Sequence, residues 1–155
     1  MPDAPPSPRF RIWPPIAVAV PWLVGYGLER LVGVSLDVGR WAGVVGWVLV
    51  AVFAVWNGWC LLLFARHRTG LLPGQSTSAL LESGPYRFSR NPLYVGLLAL
   101  YAGLALLAGS WGALVLLPLA WAGLLWGAIL PEEAYLRAEL GRPYEDYRSR
   151  VRRWL

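Results

Sequence analysis

The hydrophobic residues of this chain occur in long runs that no charged residue interrupts. Residues 41–65 form one run of 25 residues, and residues 91–131 form a second run of 41. Because a helix needs about 20 residues to cross the hydrocarbon core of a bilayer, the first run predicts one membrane span and the second predicts two. A shorter apolar stretch ends at Glu29-Arg30 and predicts a further span near the N-terminus.

Glycine and proline divide these runs. Gly109-Ser110 splits the second run into a helical hairpin, and Pro131 ends it. The pattern predicts an all-α integral membrane protein of about four transmembrane helices, with the lipid bilayer as its surroundings. The predicted spans are 12–34, 41–65, 92–109 and 111–130, which form a single membrane domain of residues 12–155 after a proline-rich, disordered segment of residues 1–11.

The charge distribution predicts the orientation of these spans. All 14 basic residues of the 155-residue chain are arginine, and the net charge is +5. With four spans, twelve arginines fall on the side of the two termini and of the 66–91 loop, and only Arg30 and Arg40 fall on the other. By the positive-inside rule, both termini and this loop are cytoplasmic. The basic charge therefore indicates membrane topology, and no nucleic-acid partner is predicted.

Few residues offer metal or nucleophile chemistry. Cys60 is the only cysteine and lies within the second predicted span, where a small packing residue is expected. His67 is the only histidine and has no cysteine or acid at ligand spacing. No glycine-rich phosphate loop follows a predicted strand. The sequence predicts no metal site, and it gives little support to a catalytic His67.

The loop of residues 66–91 is long for a helical bundle. Its roughly 26 residues exceed the usual ~2–8 between packed helices. The apolar pairs Leu71-Leu72 and Leu80-Leu81 predict an ordered cap rather than an unstructured linker. Asn91-Pro92 predicts the start of the next helix, with Asn91 capping its free amides, so that the positive end of the helix dipole faces this loop.

The tail of residues 131–155 changes to a charged pattern. Glu132 and Glu133 lie in the first turn of a helix that Gly141 is expected to end. A second helix follows Pro143 and is predicted to be amphipathic, lying in the lipid headgroup region. Its apolar face would carry Tyr144, Tyr147, Val151 and Trp154. Two spans separate the 66–91 loop from the glutamates, so the loop and the acids are predicted on the same side of the membrane.

The residues expected to meet there each have an ordinary structural explanation. An arginine can neutralise headgroups, an asparagine can cap a helix, a tyrosine can belong to an interfacial belt, and acids suit a first helical turn. Together they also form a polar rim that could bind a charged ligand. The set is Tyr86, Arg90, Asn91, Tyr94, Glu132 and Glu133.

Four motifs in this half of the chain resemble the isoprenylcysteine carboxyl methyltransferase family and its bacterial relatives, which are related in turn to phospholipid N-methyltransferases. The likeness covers residues 75–155 approximately. The matching residues are Gly84 and Tyr86; Arg90, Asn91, Pro92, Tyr94 and Gly96; Glu132, Glu133 and Leu136; and Leu140, Gly141, Tyr144 and Tyr147.

The resemblance implies an enzyme of the bacterial inner membrane that uses S-adenosylmethionine as methyl donor and acts on a small lipophilic acceptor. It implies no dedicated acid–base residue, and Arg90 and Glu133 are the catalytic candidates. It also places a strand-like stretch, residues 78–81, beside the cofactor. The implied cofactor-binding residues are Ser78, Ala79, Leu80, Leu81, Tyr86, Arg90, Asn91, Pro92, Leu93, Tyr94 and Glu132.

Two positions depart from the family pattern. Asn91 stands where the family usually has histidine. Ala128 stands where prenylcysteine enzymes carry an arginine associated with the substrate carboxylate, so the acceptor is expected to be something other than a prenylcysteine. The sequence leaves open a carboxylate, a thiol or an amine. Two other functions also remain open: an NADPH-dependent membrane reductase related to sterol reductases, and a non-catalytic membrane scaffold.

Overall fold

A computed structural model describes residues 10–33, 39–67 and 80–155 of the chain. These residues form helices and contain no strand. The strand-like conformation predicted for residues 78–81 is therefore wrong at Leu80 and Leu81, and Ser78 and Ala79 lie outside the described residues. The elements are α1 Pro14–Val32, α2 Arg40–His67, a 3-10 turn Gly84–Arg87, α3 Pro92–Leu107, α4 Trp111–Val115, α5 Leu117–Leu124, a π turn Leu125–Ile129, α6 Leu130–Leu140 and α7 Arg142–Arg150.

Two of these helices are long and apolar enough to cross a membrane, Pro14–Val32 and Arg40–Arg66. The apolar helix α3 has 16 residues and is shorter. The segment 111–130, predicted as one span, is divided into α4, α5 and the π turn. Pro118 and Pro131 explain the divisions, because a proline inside a helix lacks an amide donor and clashes with the carbonyl four residues earlier.

Glycines bring the helices into close contact. Between α2 and α3, a Cβ added to Gly103 would lie 2.9 Å from the carbonyl oxygen of Gly46. Between α1 and α4, a Cβ on Gly25 would overlap the backbone of Gly112. Such small residues allow membrane helices to pack backbone against backbone. The two contacts leave no room for a side chain and fix how α1 and α2 lie against the C-terminal half.

The two ends of the helix assembly differ in chemistry. At one end, Glu29 of α1 accepts hydrogen bonds from Ser110 Oγ at 2.5 Å and from the Gly112 amide at 2.9 Å, which caps α4. At the other end, an apolar cluster of Ala17, Leu124 and Ile129 supports Tyr94 and Trp154. This cluster places the start of α3 beside the start of α6, where the candidate site lies.

The residues just before α1 also contact the end of the helix assembly where the candidate site lies. Arg11 and Ile12 donate backbone hydrogen bonds to the carbonyl oxygen of Gly127, at 2.8 and 3.2 Å. The prediction of disorder over residues 1–11 is therefore wrong at Arg11. Residues 1–9 lie outside the described part of the chain.

Candidate functional site

The candidate site begins at the 3-10 turn between α2 and α3. Gly84 has a φ of +60°, which suits glycine. The next residue, Pro85, is fully buried, and its ring fixes its own φ. The turn directs Tyr86 against Phe64 of α2, with ring centroids 6.0 Å apart in an edge-to-face arrangement. Burial raises the pKa of Tyr86, so its hydroxyl stays protonated at neutral pH.

The start of α3 is held by the C-terminal segment of the chain rather than by a local cap. The side chain of Asn91 makes no capping hydrogen bond, contrary to the prediction. Its Nδ2 donates instead to the carbonyl of Arg153 at 3.1 Å. The buried Ser89 accepts a hydrogen bond from the Asn91 amide at 3.0 Å and donates to the same Arg153 carbonyl at 3.2 Å. The backbone amide of Arg90 donates to the carbonyl of Arg152 at 2.9 Å.

Glu132 faces the first turn of α3. The Tyr94 hydroxyl donates to its Oε2 at 2.9 Å. Burial raises the pKa of Glu132; the Tyr94 hydrogen bond lowers it by less, and the nearby charge of Glu133 raises it further. Within residues 10–33, 39–67 and 80–155, no arginine lies within ion-pair distance of this carboxylate. Glu132 is therefore a desolvated acid without a described counter-charge.

Glu133 has the opposite surroundings. Arg153 holds its carboxylate with two hydrogen bonds, from Nε at 2.9 Å and Nη2 at 2.8 Å, and Arg90 Nη1 lies 3.3 Å away. Only 6% of Glu133 is exposed. Burial acts to raise the pKa of this acid, but the Arg153 hydrogen bonds and the charge of Arg90 outweigh it, and the pKa is lowered. Glu133 is therefore ionised and fully engaged by protein groups.

The tail helix α7 packs its tyrosine side chains against the rest of the protein. Tyr144 and Tyr147 are buried within the protein, and the Tyr147 hydroxyl donates to the carbonyl of Tyr86 at 2.7 Å. The helix ends at Arg150, so Val151 and Trp154 do not continue its apolar face. The buried tyrosines of α7 cover the loop that precedes α3. The position of this helix in the lipid headgroup region stays a prediction.

Helix α2 contributes two residues that the sequence did not indicate. Trp56 Nε1 donates to the carbonyl of Pro92 at 3.0 Å, and Asn57 Nδ2 donates to that of Leu93 at 3.3 Å. A Cβ on Gly96 would overlap the Asn57 amide group, so glycine is required there. An isolated asparagine inside a 25-residue uncharged run is the one signal that could have identified this contact.

The structure brings most of the predicted residues to one end of the helices. Tyr86, Arg90, Asn91, Tyr94, Glu132 and Glu133 lie within one connected set of contacts, and the buried Leu81 adjoins the same turn in sequence. Ala128 is fully buried inside the π turn, so this position does not face an open site. His67 ends α2, but its side chain lies outside the described part of the structure.

Comparison with known proteins identifies a family for this chain. The family model "Phospholipid methyltransferase" matches residues 41–142, which is more than half of the chain and includes α2, α3, the π turn and both glutamates. No solved structure gives a significant match.

A curated relative, "Methanethiol S-methyltransferase 2" of Bradyrhizobium diazoefficiens strain USDA 110, is 32% identical over 136 residues. The match covers 76% of this chain and 49% of the relative, so the chain spans about half the length of that protein. With the family match and the two apolar helices, these findings establish that the chain belongs to the phospholipid methyltransferase family of membrane methyltransferases.

Proposed function

We propose that this protein transfers a methyl group from S-adenosylmethionine to a small lipophilic acceptor that reaches the site from the membrane. The observation that carries the proposal is the contrast between Glu133, which two arginines neutralise, and Glu132, which is desolvated and has no described cationic partner. Glu132 is partly buried, and a partly desolvated carboxylate without a counter-charge is unfavourable unless a ligand supplies one. S-adenosylmethionine carries positive charge on both its sulfonium and its ammonium group.

The residues present fit such a ligand. Glu132 would face its cationic groups, with Tyr94 holding the carboxylate in place through its 2.9 Å hydrogen bond. Tyr86 is close enough to Glu132 for the charge of this acid to contribute to the raised pKa of Tyr86. The face of an aromatic ring attracts a cation, so Tyr86 would also favour a cationic ligand. Arg90 and Glu133, the catalytic candidates, form an ion pair and are proposed to position the loop and α6 rather than to contact the reacting atoms.

When bound, S-adenosylmethionine supplies an electrophilic methyl group that a lone pair of the acceptor can displace. The protein's part in such a reaction is to hold and orient the reactants and to exclude water. Glu132 and Tyr94 provide orientation through their shared hydrogen bond.

The proposed acceptor is a thiol, with an amine as the second choice. The relative is named as a methyltransferase of methanethiol, which is a thiol. In this chain, the buried Ala128 supplies no cation for a substrate carboxylate. The reductase alternative gains nothing from these observations, since the family match and the relative are both methyltransferases.

We also propose four membrane spans, with the site and both termini on the cytoplasmic side of a bacterial inner membrane. The twelve-to-two distribution of arginines supports this orientation, as does the meeting of the loop and the acids at one end. Reporter fusions at the two termini and in the 66–91 loop should all read as cytoplasmic, and a fusion at residue 37 should read as external. A C-terminus found outside would overturn the topology.

Titration calorimetry on the purified full chain tests the cofactor. S-adenosylmethionine and S-adenosylhomocysteine should bind, and NADPH should not. A methyl-transfer assay with labelled donor should then give faster turnover of an alkanethiol than of a farnesylcysteine analogue. Binding of NADPH alone would establish the reductase alternative, and absence of binding by all three ligands would favour a scaffold.

A further inference from the structure

The spacing of buried residues along the C-terminal helices changes at the π turn. Ala120 and Leu124 are buried four positions apart, and so are Ile129 and Glu133. Between these pairs Gly127, Ala128 and Ile129 are buried in succession, and the core cluster joins Leu124 to Ile129, five positions on. A single face of an α-helix recurs at three or four residues. The step of five coincides with the π turn Leu125–Ile129, where the Leu130 amide bonds to the Leu125 carbonyl five residues back.

Two features of the chain account for the π turn. In a regular α-helix the Gly127 carbonyl would bond to the amide of residue 131, but Pro131 has none and its ring would press on that carbonyl. Here the Gly127 oxygen instead accepts the amides of Arg11 and Ile12. Glycine is needed at this point, because a Cβ on Gly127 would lie 2.6 Å from Cβ of Ile12.

The extra residue decides where the two glutamates face. In a regular helix, residues four and eight positions after Leu124 would occupy the places that Ile129 and Glu133 hold in the structure. Those residues are Ala128 and Glu132. Because each α-helical residue turns by about 100°, Glu132 would then enter the cluster of Arg90 and Arg153, and Tyr94 would lose its carboxylate partner.

We propose that the π turn, maintained by Pro131 and by the backbone of Arg11 and Ile12, is a positioning element that selects Glu132 rather than Glu133 as the ligand-binding carboxylate. The assignment of a ligand to Glu132 rests on the proposed function. The register itself rests on the observed spacing and hydrogen bonds.

A one-residue deletion tests this register. In a Pro131→Ala background, which permits a regular helix, deletion of the 59%-exposed Trp126 leaves Ile129 and Glu133 four and eight positions after Leu124. Both acids should keep their places, and the dissociation constant for S-adenosylhomocysteine should stay within about threefold of that of the unmodified protein. Deletion of the similarly exposed Leu119 from α5 in the same background is the matched control. It should weaken binding by more than about tenfold, since either α5 or the acids must rotate.

Thermal unfolding in detergent reports the register without a ligand, because the cluster around Glu133 forms only in the correct register. The Trp126 deletion should retain its unfolding midpoint better than the Leu119 deletion. If the unmodified protein binds no cofactor, the proposed function fails while this comparison still tests the π turn.

A second deletion, of Leu125, closes the same register while removing a different side chain. Retention of binding or of the unfolding midpoint by either π-turn deletion, and its loss in the Leu119 control, supports the proposal. Equal damage in all three variants would overturn it, as would failure of both π-turn deletions to fold.

Discussion

Glu132 and Glu133 are neighbours in sequence and identical in chemistry, yet the structure gives them opposite environments. Glu133 accepts two hydrogen bonds from Arg153 and lies 3.3 Å from Arg90, so its pKa is lowered. Glu132 receives one hydrogen bond, from the neutral Tyr94, and its pKa is raised. A carboxylate that the protein saturates serves the fold, whereas one left without a counter-charge is available to a ligand. The sum of contacts around an acid therefore indicates its role better than its identity or motif does.

The largest effect is expected from Glu133→Gln, on stability. The substitution leaves Arg90 buried without its counter-charge, since only 9% of its side chain is exposed. Removing one partner of a buried ion pair typically costs about 3–5 kcal/mol. The free energy of unfolding in detergent should fall by an amount of this order. Glu139→Gln, at an exposed position of the same helix, should change it little. Similar losses of unfolding free energy in the two variants would mean that the ion pairs of Glu133 with Arg90 and Arg153 do not stabilise the fold.

Glu132→Gln should reverse this pattern, reducing ligand binding while sparing stability. Loss of a charge-assisted interaction worth about 1.5–3 kcal/mol should weaken S-adenosylmethionine binding by more than tenfold. The stability of the unliganded protein should be unchanged or slightly higher at neutral pH, because an acid with a raised pKa costs folding free energy once it ionises.

Calorimetric titration and thermal unfolding of the same preparations separate these two effects. The comparison between the acids fails if Glu132→Gln destabilises the protein as much as Glu133→Gln does, or if it leaves cofactor affinity intact.

The sequence was sufficient to predict where the polar loop and the acids meet. The Asn91-Pro92 pair predicts a helix start, and α3 begins at Pro92; Gly141 predicts a helix end, and it follows α6 with a φ of +58°. These features depend on local backbone chemistry. The meeting of Tyr94 with Glu132 followed from the number of apolar runs between them.

The different environments of Glu132 and Glu133 were not predictable from local sequence patterns. It depends on a one-residue change of register at the π turn, which regular 3.6-residue periodicity does not represent. The partners of Asn91 and Tyr86 lie 62 and 61 residues away in sequence. Such long-range pairs cannot be read from spacing, and for this reason the capping role predicted for Asn91 was wrong.

The pH dependence of the two acids should also differ in sign. For Glu133, whose pKa is lowered in the folded state, the stabilisation is present above the ordinary glutamate pKa of about 4.3 and is lost as the pH falls through the lowered value. For Glu132, whose pKa is raised, binding of a cationic ligand should already weaken as the pH falls through a value above 4.3.

Cofactor affinity measured from pH 8 downward should therefore decline before the protein loses stability. The Glu132→Gln variant should lack that early decline. A decline of the same size in this variant would assign the titration to another group.

The smallest effect concerns the hydroxyl of Tyr94. Tyr94→Phe removes the hydrogen bond to Glu132 but leaves the ring in place. A single hydrogen bond contributes about 0.5–1.5 kcal/mol, so cofactor affinity should fall by roughly two- to twelvefold, less than in Glu132→Gln. Tyr101→Phe on the same helix is the matched control, since its hydroxyl donates to the Ala113 carbonyl at 2.7 Å, away from the acids. It should lower the unfolding midpoint without changing affinity. If both variants alter affinity alike, Tyr94 acts only through the packing of α3 and does not orient the Glu132 carboxylate.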